Sequence, residues 1–475
     1  MKKSRIIKYI FPLIIVTGIV ACNNEGTSSS LNGNRYADYI ENAYCRTIVN
    51  DIADSDKYVN VGNMKQIRTA LKNNDGTFED GDNVDAFDTN LIFSRYATKD
   101  LLTGRDIMDI EEIIGPYTYK THRLFDRHNY YYNEKKDGVI NNLRIINENY
   151  GGDFIEIDEE LYNVLQDALN ITIESKGKFN IFVGELSDFW NKYINSINIG
   201  KNPEDTVDPA QTNEGKLMVE QLLLNTPQYE DAEKCLELKK ENNKFFVRFN
   251  KFMNKEGTYA DKVSLSLGGI GKGYLTENLY QQFKKANKTN GNVYAGSSSI
   301  VLMGPSAYSS PWRIQISNPI NYYATPLGIV SLNDKYSIST SGSQVNSYTT
   351  LVDGKYVNRQ HIIDATSGYP SDNYSMVTIF SKKLSSTLMD TLSTILINCD
   401  ENEIKETIEY FRTKYNADLD FILSKKSLYT GSNSDYTVDV YLSKNMSDPQ
   451  VFEKTEELGD GGIYSPYINY HSLDY

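Results

Sequence analysis

Two segments in the last third of the chain hold residue types that can manage a cation and an activated hydroxyl. MDTLSTIL (Met389–Leu396) sets a carboxylate, Asp390, and a hydroxyl, Thr394, four residues apart. On a helix that spacing stacks them on one face. Leu388, Leu392, Ile395 and Leu396 supply the apolar stripe of the same helix, and Ser385 or Ser386 is a suitable N-cap. Two oxygen donors so placed suit a hard divalent cation; a plain solvated helix face has the same spacing. Upstream, HIIDATSGYP (His361–Pro370) carries one of only four histidines, the others being His122, His128 and His471, next to a turn-forming Ser-Gly-Tyr-Pro. A neutral imidazole there can take a proton from a hydroxyl near pH 7. The plain alternative is a histidine satisfied in the surface or core.

A third element is SLGGIGKGY (Ser266–Tyr274). It follows an alternation of Val263, Leu265 and Leu267 that predicts a strand, and precedes a helical pattern at Leu275, Leu279 and Phe283. Strand, glycine loop and helix N-terminus together can cradle phosphate with backbone N–H groups, and Lys272 adds a cation. The spacing is neither that of a Walker loop nor the GxGxxG of a dinucleotide fold. Taken alone, the glycines equally describe a tight, closely packed turn. No cysteine–histidine cluster has zinc spacing.

In this order, the segments resemble the FAD:protein FMN transferases, the flavin transferase family called ApbE. The resemblance runs from about Thr121 to Met446. It also takes in LFDRHNYYYNEKKDGVINNLRIIN (Leu124–Asn147), SKGKFNIFVGELSDFW (Ser175–Trp190), YAGSSS (Tyr294–Ser299), PWRIQISNP (Pro311–Pro319) and STSGS (Ser339–Ser343). The resemblance implies an α+β flavin transferase fold. It also implies a Mg²⁺ held by the backbone of Gly269 and by Asp390 and Thr394, with Ser393 beside them. His361 falls on the position that activates the acceptor hydroxyl. Flavin contacts fall on Lys178, Phe179, Asn180, Lys272 and around Ile363, and His128 takes the place that stacks on adenine. Ser266 stands where an aspartate is usual before the glycine loop. Tyr294–Ser297 replaces Asn-Ala-Gly-Gly, Ser343 ends the usual TSGD, and Ala365 replaces a proline.

The implied reaction moves FMN from FAD to a Ser or Thr of an exported acceptor protein and releases AMP. A divalent cation and backbone dipoles are the expected stabilisers of charge spreading over the pyrophosphate. Water as acceptor would make the same site a hydrolase releasing FMN and AMP. Flavin binding without turnover is the third possibility, consistent with the substitutions at Ser266 and Ser297.

The N-terminus predicts where this happens. Residues 1–21 carry Lys2, Lys3, Arg5 and Lys8, an apolar run from Ile10 to Val20, and a small residue before Cys22. That is the pattern of a lipoprotein signal peptide, with Cys22 as the lipidated residue. The apolar run is short of the ~20 residues that span a membrane. Residues 22–35 read as a flexible tether, giving an expected location on the extracytoplasmic face of the cell membrane. The chain has 49 basic and 63 acidic residues, a net charge of −14, and −18 without the four basic residues of the leader. So acidic a body argues against nucleic acid and assigns membrane attachment to the lipid.

Residues 36–116 have weak periodicity and read as an N-terminal extension, with an acidic loop at Asp75–Asp88. Residues 117–446 form the transferase domain, with helices expected at Asp158–Ser175 and Glu401–Tyr415 and strands at Leu419–Leu423 and Tyr436–Leu442. Residues 447–475 read as an acidic tail of low order. Cys45, Cys235 and Cys399 are widely spaced and imply no disulfide framework.

Overall fold

The computed structural model describes residues 43–51, 58–72, 78–85, 91–98, 117, 120–128, 140–289, 291–296, 298–306, 311–319, 325–343, 346–426, 437–455 and 467–475, and for 43–98 it gives strand pairing alone. Cys22 and the leader lie outside these residues. The architecture is α+β. Its centre is an eleven-stranded sheet whose order is β1 (Ala43–Asp51), β2 (Tyr58–Lys72), β4 (Leu91–Thr98), β8 (Gly291–Ala295), β9 (Ser299–Leu302), β12 (Tyr336–Gly342), β15 (Met376–Ser381), β16 (Asp420–Lys426), β17 (Thr437–Leu442) and β19 (Tyr467–Ser472), with β3 (Phe78–Asp85) paired to β2. All neighbours are antiparallel except β17 and β19.

Both faces of this sheet are covered, which explains its sequence pattern. On one face lie helices α4 (Gly271–Lys285) and α5 (Ser386–Asn398), with α5 crossing β9, β12 and β15. On the other, Trp312, Ile314 and Val330 of the small sheet β10 (Trp312–Ile316), β11 (Gly328–Leu332) and β18 (Phe452–Lys454) pack against Met376, Phe380 and Ile422. Strand β15 is therefore buried at every position. Its alternate residues Val377 and Ile379 face the α5 side, as the two-residue period of a strand requires. A three-stranded sheet, β5 (Ile155–Ile157), β7 (Lys244–Phe249) and β6 (Leu236–Glu241), supports helix α1 (Glu159–Glu174).

The helices begin where the sequence places caps. Asp158 caps α1 through Glu160 N–H at 2.8 Å, with Glu159 and Glu160 in the positive first turn. Ser385 caps α5 through Leu388 N–H at 3.3 Å. Helix α6 (Glu401–Tyr415) opens on an Asp400–Glu403 capping box and ends on Asn416 at φ 44°.

Where described, the N-terminal segment adds β1–β4 to the main sheet, β4 pairing with β8. Three expectations are corrected. The acidic stretch forms strand β3 over Phe78–Asp85, where cross-strand pairing with β2 outweighs low intrinsic propensity. No strand forms before the glycine loop. Leu265 is instead held by the Asn147 side chain, at 2.8 Å to its N–H and 3.1 Å to its carbonyl, and Ser266 N–H reaches Ile181 O at 2.8 Å. Finally, the C-terminal tail is not of low order where described, since β18 pairs with β11 and β19 with β17.

Candidate active site

Helices α4 and α5 meet at Gly273 and Asp390. The Gly273 N–H, in the first turn of α4, donates to Asp390 Oδ2 at 2.9 Å. A Cβ on Gly273 would lie well inside contact of the Ser386 carbonyl oxygen and Asp390 Cβ, so only glycine permits this approach. Asp390 is 2 % exposed. A buried carboxylate needs hydrogen-bond donors, and its Oδ1 finds two in Ser299 Oγ at 3.2 Å and Ser339 Oγ at 3.4 Å. The expected solvated face is thus a buried polar junction. Ser393, also buried, donates to the Asp390 carbonyl at 3.0 Å and lies 2.8 Å from Ser341 Oγ and 3.0 Å from Ser339 Oγ.

Thr394, half-buried, donates to the same carbonyl at 3.2 Å. Its Oγ1 lies 3.1 Å from the position a Cβ on Gly269 would occupy, and the edge of the Phe179 ring is equally near. Gly269, Phe179 and Thr394 therefore converge, one turn of α5 from Asp390. Among the described residues no group of three or more His, Cys, Asp or Glu side chains could hold a metal. The donors here are oxygen only, which suits a hard cation completing its shell with water or phosphate oxygens.

His361 follows strand β14 (Lys355–Gln360), which pairs with β13 (Ser347–Val352), and its N–H donates to Asn346 O at 3.2 Å. The residue is open to solvent at one side, yet protein crowds it on the others. That burial, with the positive charge of Lys272, pushes the imidazole down to about 4 against the opposing pull of the Asn346 backbone. The ring is neutral at pH 7 and feels the glycine loop, where Lys272 Nζ lies 3.4 Å from Gly268 O. The rest of the decapeptide is a fixed turn. The Asp364 carboxylate accepts Thr366 N–H at 2.9 Å, and Gly368, at φ 76°, donates to Asp364 O at 2.9 Å. Trp190 Nε1 donates to Gly368 O at 2.8 Å.

Other predicted residues are held more by the protein than by the cleft. Asn180 is buried, with Nδ2 on Pro227 O at 3.0 Å and Oδ1 accepting Phe182 N–H at 2.8 Å. Lys178 pairs with Glu403 at 2.6 Å; burial works against its charge, but the carboxylate outweighs it and raises the pKa. Ile363 is buried, and Ser266 Oγ accepts Gly268 N–H at 3.4 Å, shaping the loop. His128 lies 3.4 Å from Asp188, which also binds Arg127 at 2.6 Å. Ser297 lies outside the described residues.

Sequence reading missed the partners of these groups. Asn398 Nδ2 joins the Lys178 carbonyl at 2.8 Å to that of Ile363 at 3.3 Å, so one side chain clamps two candidate flavin segments. Arg359 pairs with buried Asp208 at 3.0 Å between the rings of Trp190 and Tyr369, fixing the strand that leads into His361. The only signal of Asn398 was a polar residue ending an apolar helix.

The family model of the ApbE family matches residues 115–417. This chain belongs to the ApbE family. A FAD:protein FMN transferase of Salmonella typhimurium is 25 % identical over 226 residues, covering 47 % of this chain and 55 % of that protein. One of Treponema pallidum is 25 % identical over 262 residues, 53 % of this chain and 63 % of the relative. The chain thus spans less than two thirds of the length of these ApbE relatives. Flavin transferase ApbE from Vibrio cholerae superposes with a TM-score of 0.52 at 18 % identity, over 81 % of this chain and 99 % of that one. The ApbE protein of Thermotoga maritima gives 0.52 at 20 % identity, over 75 % and 94 %. The fold is that of the ApbE flavin transferases.

Proposed function

We propose that this chain is a FAD:protein FMN transferase, using FAD as substrate and an exported protein as acceptor. The observation that carries the reading is the junction of Asp390 with Gly273, which fixes a carboxylate to the N-terminus of α4 beside the glycine loop. A neutral imidazole under the influence of that loop's lysine stands on the neighbouring segment. In the reaction, the acceptor Ser or Thr oxygen bonds to the FMN-side phosphorus of FAD. The bond from that phosphorus to the bridging oxygen breaks, and AMP leaves. His361 takes the hydroxyl proton, a role typically worth ~10²–10⁴-fold. The Gly271 and Gly273 N–H groups are engaged by Leu267 O and Asp390, so the positive end of the α4 dipole and the Lys272 ammonium supply the potential that would favour the anionic pyrophosphate. Asp390, Thr394 and the Gly269 backbone would hold Mg²⁺, which when bound would neutralise charge developing on the phosphate oxygens.

The test incubates the protein with FAD, MgCl₂ and an exported acceptor. It follows AMP release and flavin fluorescence on the acceptor band. Both signals are expected. AMP and free FMN without a fluorescent band would make the protein a hydrolase, and no AMP at all would make it a binder.

We further propose that Cys22 carries the lipid that anchors the protein at the outer face of the cell membrane. What supports this is the leader pattern ending at Ile19–Cys22. Among the described residues no helix is long and apolar enough to cross a membrane. Cys22→Ala is expected to release the protein from membranes or leave its precursor uncleaved. Unchanged processing and retention in cell fractionation would remove the anchor.

A further inference from the structure

The hydroxyls around Asp390 divide its two oxygens. Oδ1 lies within reach of both Ser299 Oγ and Ser339 Oγ, at 3.2 and 3.4 Å, whereas Oδ2 receives a single N–H, from Gly273, at 2.9 Å. A carboxylate oxygen has two lone-pair sites. Two donors fill those of Oδ1, and one donor leaves a site open on Oδ2. The serines are themselves fixed. Both are fully buried, and they come from adjacent strands, Ser299 on β9 and Ser339 on β12, paired directly at those residues. Ser339 Oγ also lies 3.0 Å from Ser393 Oγ, which Ser341 Oγ approaches at 2.8 Å. The hydroxyls thus hold Asp390 from the sheet while Gly273 holds it from α4.

We propose that Ser299 and Ser339 are positioning residues, which fix the Asp390 carboxylate by its Oδ1 and keep Oδ2 available to a divalent cation. This rests on the reading of Asp390 as a metal ligand in the proposed transferase. The physical basis is that a ligating carboxylate left to rotate must be ordered at the moment of binding, and loss of such supporting hydrogen bonds typically weakens metal affinity by ~10–100-fold. Neither serine touches the cation, the flavin or the acceptor in this account.

The test is a Mn²⁺ titration of the full chain followed by electron paramagnetic resonance, which reads binding without turnover. Ser299→Ala and Ser339→Ala are each expected to weaken Mn²⁺ binding by about tenfold or more, and Ser299→Thr, which keeps the hydroxyl, to restore most of it. Ser337→Ala is the control. Ser337 is buried two residues away on the same strand but donates to Leu384 O at 2.9 Å, so its loss should leave binding unchanged. Should an alanine variant not fold, the cysteine variant, close in volume and a weak donor, is read in its place with the same expected loss. Affinities within twofold of wild type in the serine variants, with binding lost in Asp390→Ala, would overturn the proposal and leave the metal reading standing. An equal loss in Ser337→Ala would also overturn it, as a general effect of core polarity. Binding unchanged in Asp390→Ala would overturn the metal reading itself, and the role of the serines with it.

Discussion

Asp390→Ala is expected to abolish Mg²⁺-dependent turnover of FAD. The substitution removes the carboxylate that accepts the Gly273 N–H and the Ser299 hydroxyl and strands both donors, while Ser339 keeps Ser393 as a neighbour at 3.0 Å. Each buried donor without a partner costs about 1–3 kcal/mol, so a lower melting temperature should accompany the lost activity. Thr394→Ala should do much less, because the hydroxyl is neutral, half-buried and replaceable by water. A metal titration and an AMP-release assay on both variants check this. Wild-type metal affinity and rate in Asp390→Ala would show that the cation binds elsewhere.

His361→Ala is expected to slow FMN transfer by ~10²-fold or more with little change in FAD affinity, because a base touches the nucleophile and not the bulk of the cofactor. Folding should survive, since the turn that follows is held by Asp364, Gly368 and Trp190 and not by the imidazole. The pH dependence follows from the lowered pKa. Burial and Lys272 hold the ring near 4 where an ordinary histidine titrates near 6.5. The base therefore stays neutral and competent as pH falls from 7 to 5, and the acid limb of the rate should lie below 6.5. In-gel flavin fluorescence against pH, with FAD binding by fluorescence quenching, gives both quantities. Equal loss of binding and rate would make His361 a cofactor ligand. An acid limb at 6.5 or above would place the ring in an ordinary, solvated setting.

Local chemistry in this chain was legible and long-range burial was not. The start of α5 at Ser385, the span of α6 and the glycine loop opening α4 each follow from residues within a few positions of one another. The surroundings of Asp390 do not. Ser299 and Ser339 lie 91 and 51 residues before it, and although both fall in the segments YAGSSS and STSGS that carry the family resemblance, nothing in those segments points to Asp390. A helix with a polar i, i+4 pair then reads as half solvated, although the sheet buries it. Strand β15 is opaque for a related reason: with both faces covered it shows no alternation. The alternation before the glycine loop was real as burial, yet its hydrogen bonds go to a side chain and a loop, which no periodicity can reveal.

The pairing of the outermost strands bears on how much of the chain can be dispensed with. The stretch shared with the family ends at residue 417, before β16, and begins at 115, after β4. Cutting there would bare β8 on one side and β15 on the other. β15, MVTIFS, is uncharged, rich in β-branched and aromatic residues and buried throughout, the composition that recruits other chains edge to edge into aggregates. In the whole protein that run is sealed by β16, β17 and β19. At the opposite end, β4 covers the edge of β8. The strands beyond the shared stretch thus cover its open edges, and a chain trimmed to residues 115–417 is expected to aggregate.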